Sequence, residues 1–114
     1  MTEYLHTKLV DTLKAHGINP ALSEDEIDSY PYVTFELPVE YRYDKDGPYK
    51  IVGNLTIRTV SDDFDQADTI RASIEAAIGE GFTAPYSARL TDVRKDCMDG
   101  IWVIELDYIL NQSE

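Results

Sequence analysis

The sequence contains a single cysteine, Cys97, among 114 residues. One cysteine excludes a disulfide within the chain and a cluster of thiolate metal ligands. We expect Cys97 to be a bystander in a connection between strands. Histidine is nearly as scarce: His6 and His16 are ten residues apart on one predicted helix. Their side chains point in directions about 80° apart, so they are poor partners for proton transfer.

Long apolar runs and phosphate-binding loops are also missing. The longest apolar stretch, 101–110, is interrupted by Glu105 and Asp107, whereas a helix that crosses a bilayer needs about 20 residues. The first residues, 1–6, lack a basic region followed by an apolar run, so we expect synthesis in the cytoplasm and no membrane partner. Neither G-x-G-x-x-G nor G-x-x-x-x-G-K occurs, and no nucleotide or other cofactor is expected.

Basic residues are few relative to acidic ones. Ten Lys and Arg stand against 22 Asp and Glu, which gives a formal net charge of −12. Such a surface repels phosphate backbones, so direct binding of nucleic acid is not expected. Two relationships to DNA remain open: a channel through which DNA slides without sticking, and a protein that imitates DNA.

Two groups of aspartates could offer oxygen ligands to a hard cation. Asp62, Asp63 and Asp65 form one group, and Asp44 and Asp46 precede Gly47 in the other. Neither group has the alternating spacing and closing glutamate of a calcium-binding loop. We expect helix capping and turn formation from these residues, and no metal site.

The remaining composition, 43% hydrophobic and 28% charged residues, predicts one folded domain over residues 1–114. Apolar residues four apart, from Leu5 to Leu13, predict an amphipathic helix over 3–16 that ends at Gly17. A second helix is predicted after the capping segment 61–63 and before 79–81. Its apolar positions recur at three and four residues and are Phe64, Ala67, Ile70, Ile74, Ala77 and Ile78.

Alternating patterns predict the strands. A first strand begins at Tyr30, and a hairpin arm over 38–50, which we expect to project from the sheet, leads into a second strand that ends near Val60. A weaker strand over 88–95, a turn over 96–100 and a strong last strand to Leu110 follow. The predicted class is α+β, in the order α-β-β-α-β-β. Short connections imply a mostly antiparallel four-stranded sheet with both helices on one face.

Tyrosine is abundant, with eight residues in the chain. Tyr41, Tyr43 and Tyr49 converge on the predicted arm, with Arg42 between the first two. Tyrosine combines apolar area with a polar tip and is favoured at protein interfaces. We expect these four residues to form an interface, and ordinary cross-strand packing of the aromatic rings is the alternative.

Four segments together resemble the small phage tail-completion, or tail-terminator, family. They are Tyr30-Pro31-Tyr32-Val33 at the start of a strand, Gly53 to Ile57 in the next, Ser61 to Ala67 at a helix start, and Gly100 to Leu106 in the closing strand. The likeness covers nearly the whole chain in element order, spacing and size. That family carries no catalytic signature, so the resemblance implies a protein that is not an enzyme.

The resemblance implies a virion protein made in the host cytoplasm. Copies would form a ring, typically a hexamer, that caps the tail tube and joins it to the head connector; a related neck component is equally compatible. The implied partners are other copies of the chain, tail-tube and head-connector proteins, and DNA only as transiting cargo. The alternatives are an acidic inhibitor that imitates DNA, which the charge of −12 alone favours, and an enzyme of unknown type.

Overall fold

The computed structural model describes residues 5–21, 29–42 and 50–113. The predicted α+β class is confirmed, but five strands are present where four were predicted. Neither described helix has the length and apolar character needed to cross a membrane. In chain order, the elements are α1 (Leu5–Ala15), β1 (Tyr32–Glu36), β2 (Val39–Arg42), β3 (Lys50–Ser61), α2 (Phe64–Gly81), β4 (Tyr86–Met98) and β5 (Ile101–Ser113).

The additional strand, β2, results from a break at Pro38. Proline has no N–H to donate to a strand ladder, and here its carbonyl oxygen accepts a 3.1 Å hydrogen bond from the backbone N–H of Asn54. Beyond this break, β2 pairs antiparallel with Lys50–Gly53, as the predicted hairpin requires. Residues 50–53 also pair with β5 on their other side. The described part of the predicted arm therefore belongs to the main sheet, and residues 43–49 lie outside the described residues.

The sheet is antiparallel throughout, with the strand order β1-β3-β5-β4. β2 lies beside β3, on the same side as β1. The two central strands, β3 and β5, pair along their whole lengths, from Lys50 opposite Ser113 to Ser61 opposite Trp102. One edge of the sheet is β4, and the other is formed by β1 and β2.

The core lies between the two helices and one face of this sheet. The predicted alternation of β5 is confirmed, because Ile104, Leu106, Tyr108 and Leu110 are all buried. A half-buried strand exposes every second residue, and the positions between these four remain partly exposed. The helices contribute the other wall of the core, which consists of Leu5, Leu9 and Leu13 from α1 with Ile74, Ala77 and Ile78 from α2.

Both helices have defined ends. α1 ends at Ala15, and Gly17 caps this end as predicted: its φ is +77°, and the N–H of Ile18 donates to the carbonyl of Leu13. α2 begins as predicted, because Asp63 is its N-cap and accepts a hydrogen bond from the N–H of Asp65. α2 ends at Gly81, the last residue of the segment 79–81 that was predicted to stop it. Neither Gly79 nor Gly81 adopts a positive φ, so this end lacks the left-handed glycine found after α1.

The β4–β5 hairpin is longer than predicted. β4 covers 86–98 in place of 88–95, and Cys97 lies within it, opposite Trp102, not in a connection. The turn, predicted over 96–100, consists of Asp99 and Gly100 alone. Their φ angles of 53° and 80° both lie in the left-handed region. β5 continues through Ser113 because its predicted polar tail pairs with β3 on one side and β4 on the other.

Candidate assembly surfaces

The two histidines contact different partners. His6 packs against Phe35, with 5.3 Å between the ring centroids. His16 links the C-terminal ends of the two helices: its Nε2 donates to Glu80 at 3.0 Å and its Nδ1 to the carbonyl of Thr12 at 3.3 Å. The hydrogen bond to Glu80 is the main cause that raises the pKa of His16. Its ring therefore acts as a link between helix ends.

The aspartates before α2 act as caps. Asp63 caps the helix, and its own N–H donates to the hydroxyl oxygen of Ser61. That hydroxyl in turn donates to the side-chain oxygen of Gln66 at 2.9 Å. Negative charge at this end is favoured by the helix dipole. Across 5–21, 29–42 and 50–113, no three His, Cys, Asp or Glu side chains group closely enough to hold a metal ion. Asp44 and Asp46 lie outside these residues.

Two of the four residues predicted to form an interface lie among the residues that the structure describes. Tyr41 and Arg42 lie on β2, where all four residues are exposed. Tyr41 pairs with Ile51 on the helix side of the sheet and keeps 44% of its surface exposed. Arg42 points to the opposite side and donates to Glu40 at 3.3 Å. Tyr43 and Tyr49 lie outside the described residues, so their part in the interface stays a prediction.

A second exposed tyrosine lies outside the predicted interface. Tyr30 is 45% exposed and stacks on Tyr32, with 5.8 Å between ring centroids. Sequence reasoning used these two residues only as the start of a strand. The sequence did carry a signal for this pair. The two tyrosines are two residues apart, on either side of Pro31, and residues two apart in a strand share a face.

Both edges of the sheet are open to solvent along their backbones. β4 is a 13-residue edge strand whose residues 89–98 are all exposed. Exposed edges present unpaired N–H and C=O groups and are sites for pairing with another chain. On β4, Leu90 and Val93 add apolar surface on the helix side, at 37% and 40% exposure. The sequence pattern underestimated this strand because both of its faces are mixed.

The sheet face opposite the helices carries a row of charges that crosses four strands. Arg58 on β3 donates from Nε to Oε1 of Glu105 on β5 at 2.6 Å, and Arg94 on β4 donates from Nη2 to the other oxygen of Glu105 at 2.7 Å. Glu36 on β1 completes the row, 3.6 Å from Arg58. The hydrogen bond to Glu105 is the main cause that raises the pKa of Arg58. We call these four residues the charged row.

The next positions along the strands extend this network. Asp107 accepts from Arg94 at 2.9 Å and from the hydroxyl of Thr56 at 2.9 Å, and Asp92 lies 3.7 Å from Arg94. Two arginines thus serve four carboxylates, and the middle of the open face is net negative. The signal for this network was available, since Glu105 and Asp107 are two apart in the otherwise apolar segment 101–110.

Neither a protein-family profile nor a curated protein sequence matches the chain. In fold, the chain is similar to a chain of the virion of a native gene transfer agent particle. The similarity has a TM-score of 0.63 at 17% sequence identity, and it covers 96% of this chain and 95% of that chain. The two chains therefore share a fold over almost their full lengths.

Proposed function

We propose that this chain is a structural protein of a phage-like particle, in which copies form a ring that ends the tail tube and joins it to the head connector. The observation that carries the proposal is the fold shared with a virion chain over almost the whole of both chains. The tail-completion resemblance of the sequence supports the same position in a particle. The proposed role is not catalytic, because the subunits act through their shape and contacts.

The sheet edges support assembly into a ring. A closed ring of identical subunits requires a heterologous contact, in which one surface of a subunit meets a different surface of the next. The β4 edge and the opposite edge formed by β1 and β2 provide two such surfaces. Backbone pairing between edges would give affinity, and the exposed side chains Tyr41 and Arg42 would give specificity. In the proposal, Tyr43 and Tyr49 extend this contact.

The negative charge supports passage of DNA through the ring. A formal charge of −12 repels the phosphate backbone, so DNA would pass as cargo without the binding that counterion release drives on a basic surface. The proposal requires acidic side chains to line the inner wall of the ring. A ring whose acidic residues lie mainly on the outer rim would contradict this part of it.

Native mass spectrometry of the full chain tests ring formation. The wild type should form a closed oligomer, with six copies expected. Replacement of Tyr41, Arg42, Tyr43 and Tyr49 by Ser should reduce it to monomer. The matched control is Tyr30→Ser, because Tyr30 is as exposed as Tyr41 but lies outside the arm.

Two outcomes would contradict the proposal in different ways. An oligomer that survives the fourfold serine variant would overturn the assignment of the contact to the arm. A wild-type chain that remains monomeric at about 1 mM, where even weak specific contacts are populated, would contradict a ring formed by the free chain.

A further inference from the structure

An apolar stripe crosses the open face of the sheet at the end nearest the start of α2. The strand register aligns Tyr32, Val60 and Val103 across β1, β3 and β5. Met98 on β4 pairs with Ile101 at the same end. Tyr30, which precedes β1, stacks on Tyr32. We call this surface the apolar stripe; it consists of Tyr30, Tyr32, Val60, Met98, Ile101 and Val103.

Most of the stripe is exposed or partly exposed, but Val60 in the middle of it is buried, with 7% of its surface exposed. Part of the stripe is concave. Met98 is 71% exposed, the most exposed large apolar side chain among the described residues. Ile101 and Val103 are half-buried beside it, and with Asp96 and Asp99 these side chains line a cavity of about 350 Å³. No described helix packs on this face, because both helices contact the other side of the sheet. Exposed apolar patches with polar borders are characteristic of interaction sites.

Both borders of the stripe are acidic. At the β4 end of the stripe, Asp96 lies opposite Val103 in the same row, and Asp99 lies in the hairpin turn. Neither carboxylate has an ion-pair partner among the residues that the structure describes. On the other side lies the charged row with its neighbours, where the guanidinium groups of Arg58 and Arg94 serve four carboxylates. A ligand that covers the apolar side chains would therefore meet excess negative charge on both of its flanks.

We propose that the apolar stripe docks an amphipathic basic segment of a different protein, with a row of aliphatic or aromatic side chains flanked by Lys and Arg. Charge complementarity selects this occupant, because complementary potentials favour association and like charges oppose it. A second copy that docked through this same face would bring its own acidic borders against those of the stripe, and like charges would oppose the contact. The proposal goes beyond the ring and does not depend on it.

The size of the stripe fits a short helix. Four neighbouring strands about 4.8 Å apart span about 15 Å between the outer two. This distance corresponds to about three turns of an α-helix with a pitch of 5.4 Å. A helix of about ten residues or more, laid across the strands, could cover the apolar side chains and place its basic residues over both acidic borders.

The test is an NMR titration of the isotope-labelled full chain with a designed helical peptide of about 18 residues. The peptide carries leucine at i, i+3, i+4 and i+7 positions and lysine elsewhere. A second peptide has the same leucines but glutamate in place of lysine. We expect the lysine peptide alone to bind and to shift the amide signals of 96–103 and of Val60.

Two variants separate the stripe from general electrostatic attraction. Met98→Lys places a positive charge in the stripe and should weaken binding of the lysine peptide about tenfold or more, equivalent to 1.4 kcal/mol. Leu90→Lys makes the same change of charge on the same hairpin, but on the helix side, opposite Tyr108. It should leave binding within about twofold of the wild type. Thermal unfolding of both variants checks that they are folded.

Each of the following results would overturn the proposal. Equal weakening by both lysine variants would mean that only net charge attracts the peptide. Binding of the glutamate peptide with similar affinity would remove the charge argument. Signal shifts confined to 39–42, or no shifts with either peptide, would place the contact elsewhere or nowhere. Shifts in the stripe that grow with protein concentration in the absence of peptide would identify a second copy as the occupant.

Discussion

Arg58 and Glu105 are joined across the two central strands by a hydrogen bond of 2.6 Å from Nε to Oε1. They are 47 residues apart in the chain, and their Cα atoms are direct partners in the register of β3 with β5. A slip of one residue would turn the side chains of a strand to the opposite face. Arg58 would then face the core, so this pair helps to specify the register on which the whole sheet depends.

The first prediction concerns the strength of this pair. A double-mutant cycle with Arg58→Met and Glu105→Gln should give a coupling free energy of about 0.5–1.5 kcal/mol, because the bond is charge-assisted and both side chains are partly shielded from water. The control cycle uses Arg42 and Glu40, which are 58% and 65% exposed, and should give about 0–0.3 kcal/mol. Urea unfolding measures both cycles. Equal coupling in the two cycles would contradict the proposed role in register.

The second prediction compares two glycines near the end of α2. A Cβ at Gly81 would lie 2.5 Å from Cγ2 and 3.1 Å from Oγ1 of Thr12, whereas a Cβ at Gly79 meets nothing within 4 Å. Gly79→Ala should raise the free energy of unfolding by about 0.5–1 kcal/mol, because alanine is the better helix former. Gly81→Ala should lower it by about 1–3 kcal/mol through overpacking of α1 against α2. Opposite signs in urea unfolding are the expected result.

The third prediction concerns the link between helix ends. The folded-state pKa of His16 is raised above 6.5, chiefly by its hydrogen bond to Glu80. Its stabilising contribution is therefore fully present below pH 6.5 and is lost as the pH rises through the raised pKa. The urea midpoint of wild type should exceed that of His16→Gln at about pH 5, and the difference should vanish by about pH 9.

Glu80→Gln serves as the matched variant for this link. It should remove most of the same pH-dependent difference, because the hydrogen bond to Glu80 is the main cause of the raised pKa; the bond to the carbonyl of Thr12 should account for the remainder. A pH-dependent difference in Glu80→Gln as large as that of the wild type would contradict the assignment to Glu80.

The fourth prediction concerns the buried tyrosine of β5. Burial raises the pKa of Tyr108 from 10.0 to about 12, and the nearby Glu75 adds to this effect. Because burial favours the neutral hydroxyl in the folded state, Tyr108 does not lower the free energy of unfolding below pH 10. That free energy falls as the pH rises toward 12. Tyr108→Phe should therefore resist alkaline unfolding better than wild type, as measured by circular dichroism. Tyr30→Phe, at an exposed tyrosine, should unfold at alkaline pH as the wild type does.

Several elements were predictable because their signals are local. The helical spacing of apolar residues located α2, and the capping residue Asp63 located its start. Alternation assigned the two faces of β5 correctly. The prediction was incomplete where a local signal was outweighed by strand pairing: Pro38 was expected within a single arm that proved to contain a separate strand.

The candidate surfaces were less predictable than the core. The tyrosine-rich arm was identified from composition, but its described part, Tyr41 and Arg42, lies in a strand of the main sheet. The charged row and the apolar stripe were not identified at all. Both depend on which strands are neighbours, and the residues that they combine come from positions as distant as Glu36 and Glu105.

The sequence by itself determined the element types, the helix caps and the side chains that face the core, since these follow from spacing along one segment. Only the tertiary structure decided that β5 lies between β3 and β4, and that β4 is left as a long edge. Alternation assigns a side chain to a face of a strand but does not specify the neighbouring strand. The neighbouring strand is decided by pairing between distant segments of the chain, beneath the two helices. This pairing brings Arg58, Glu105 and Arg94 into one row.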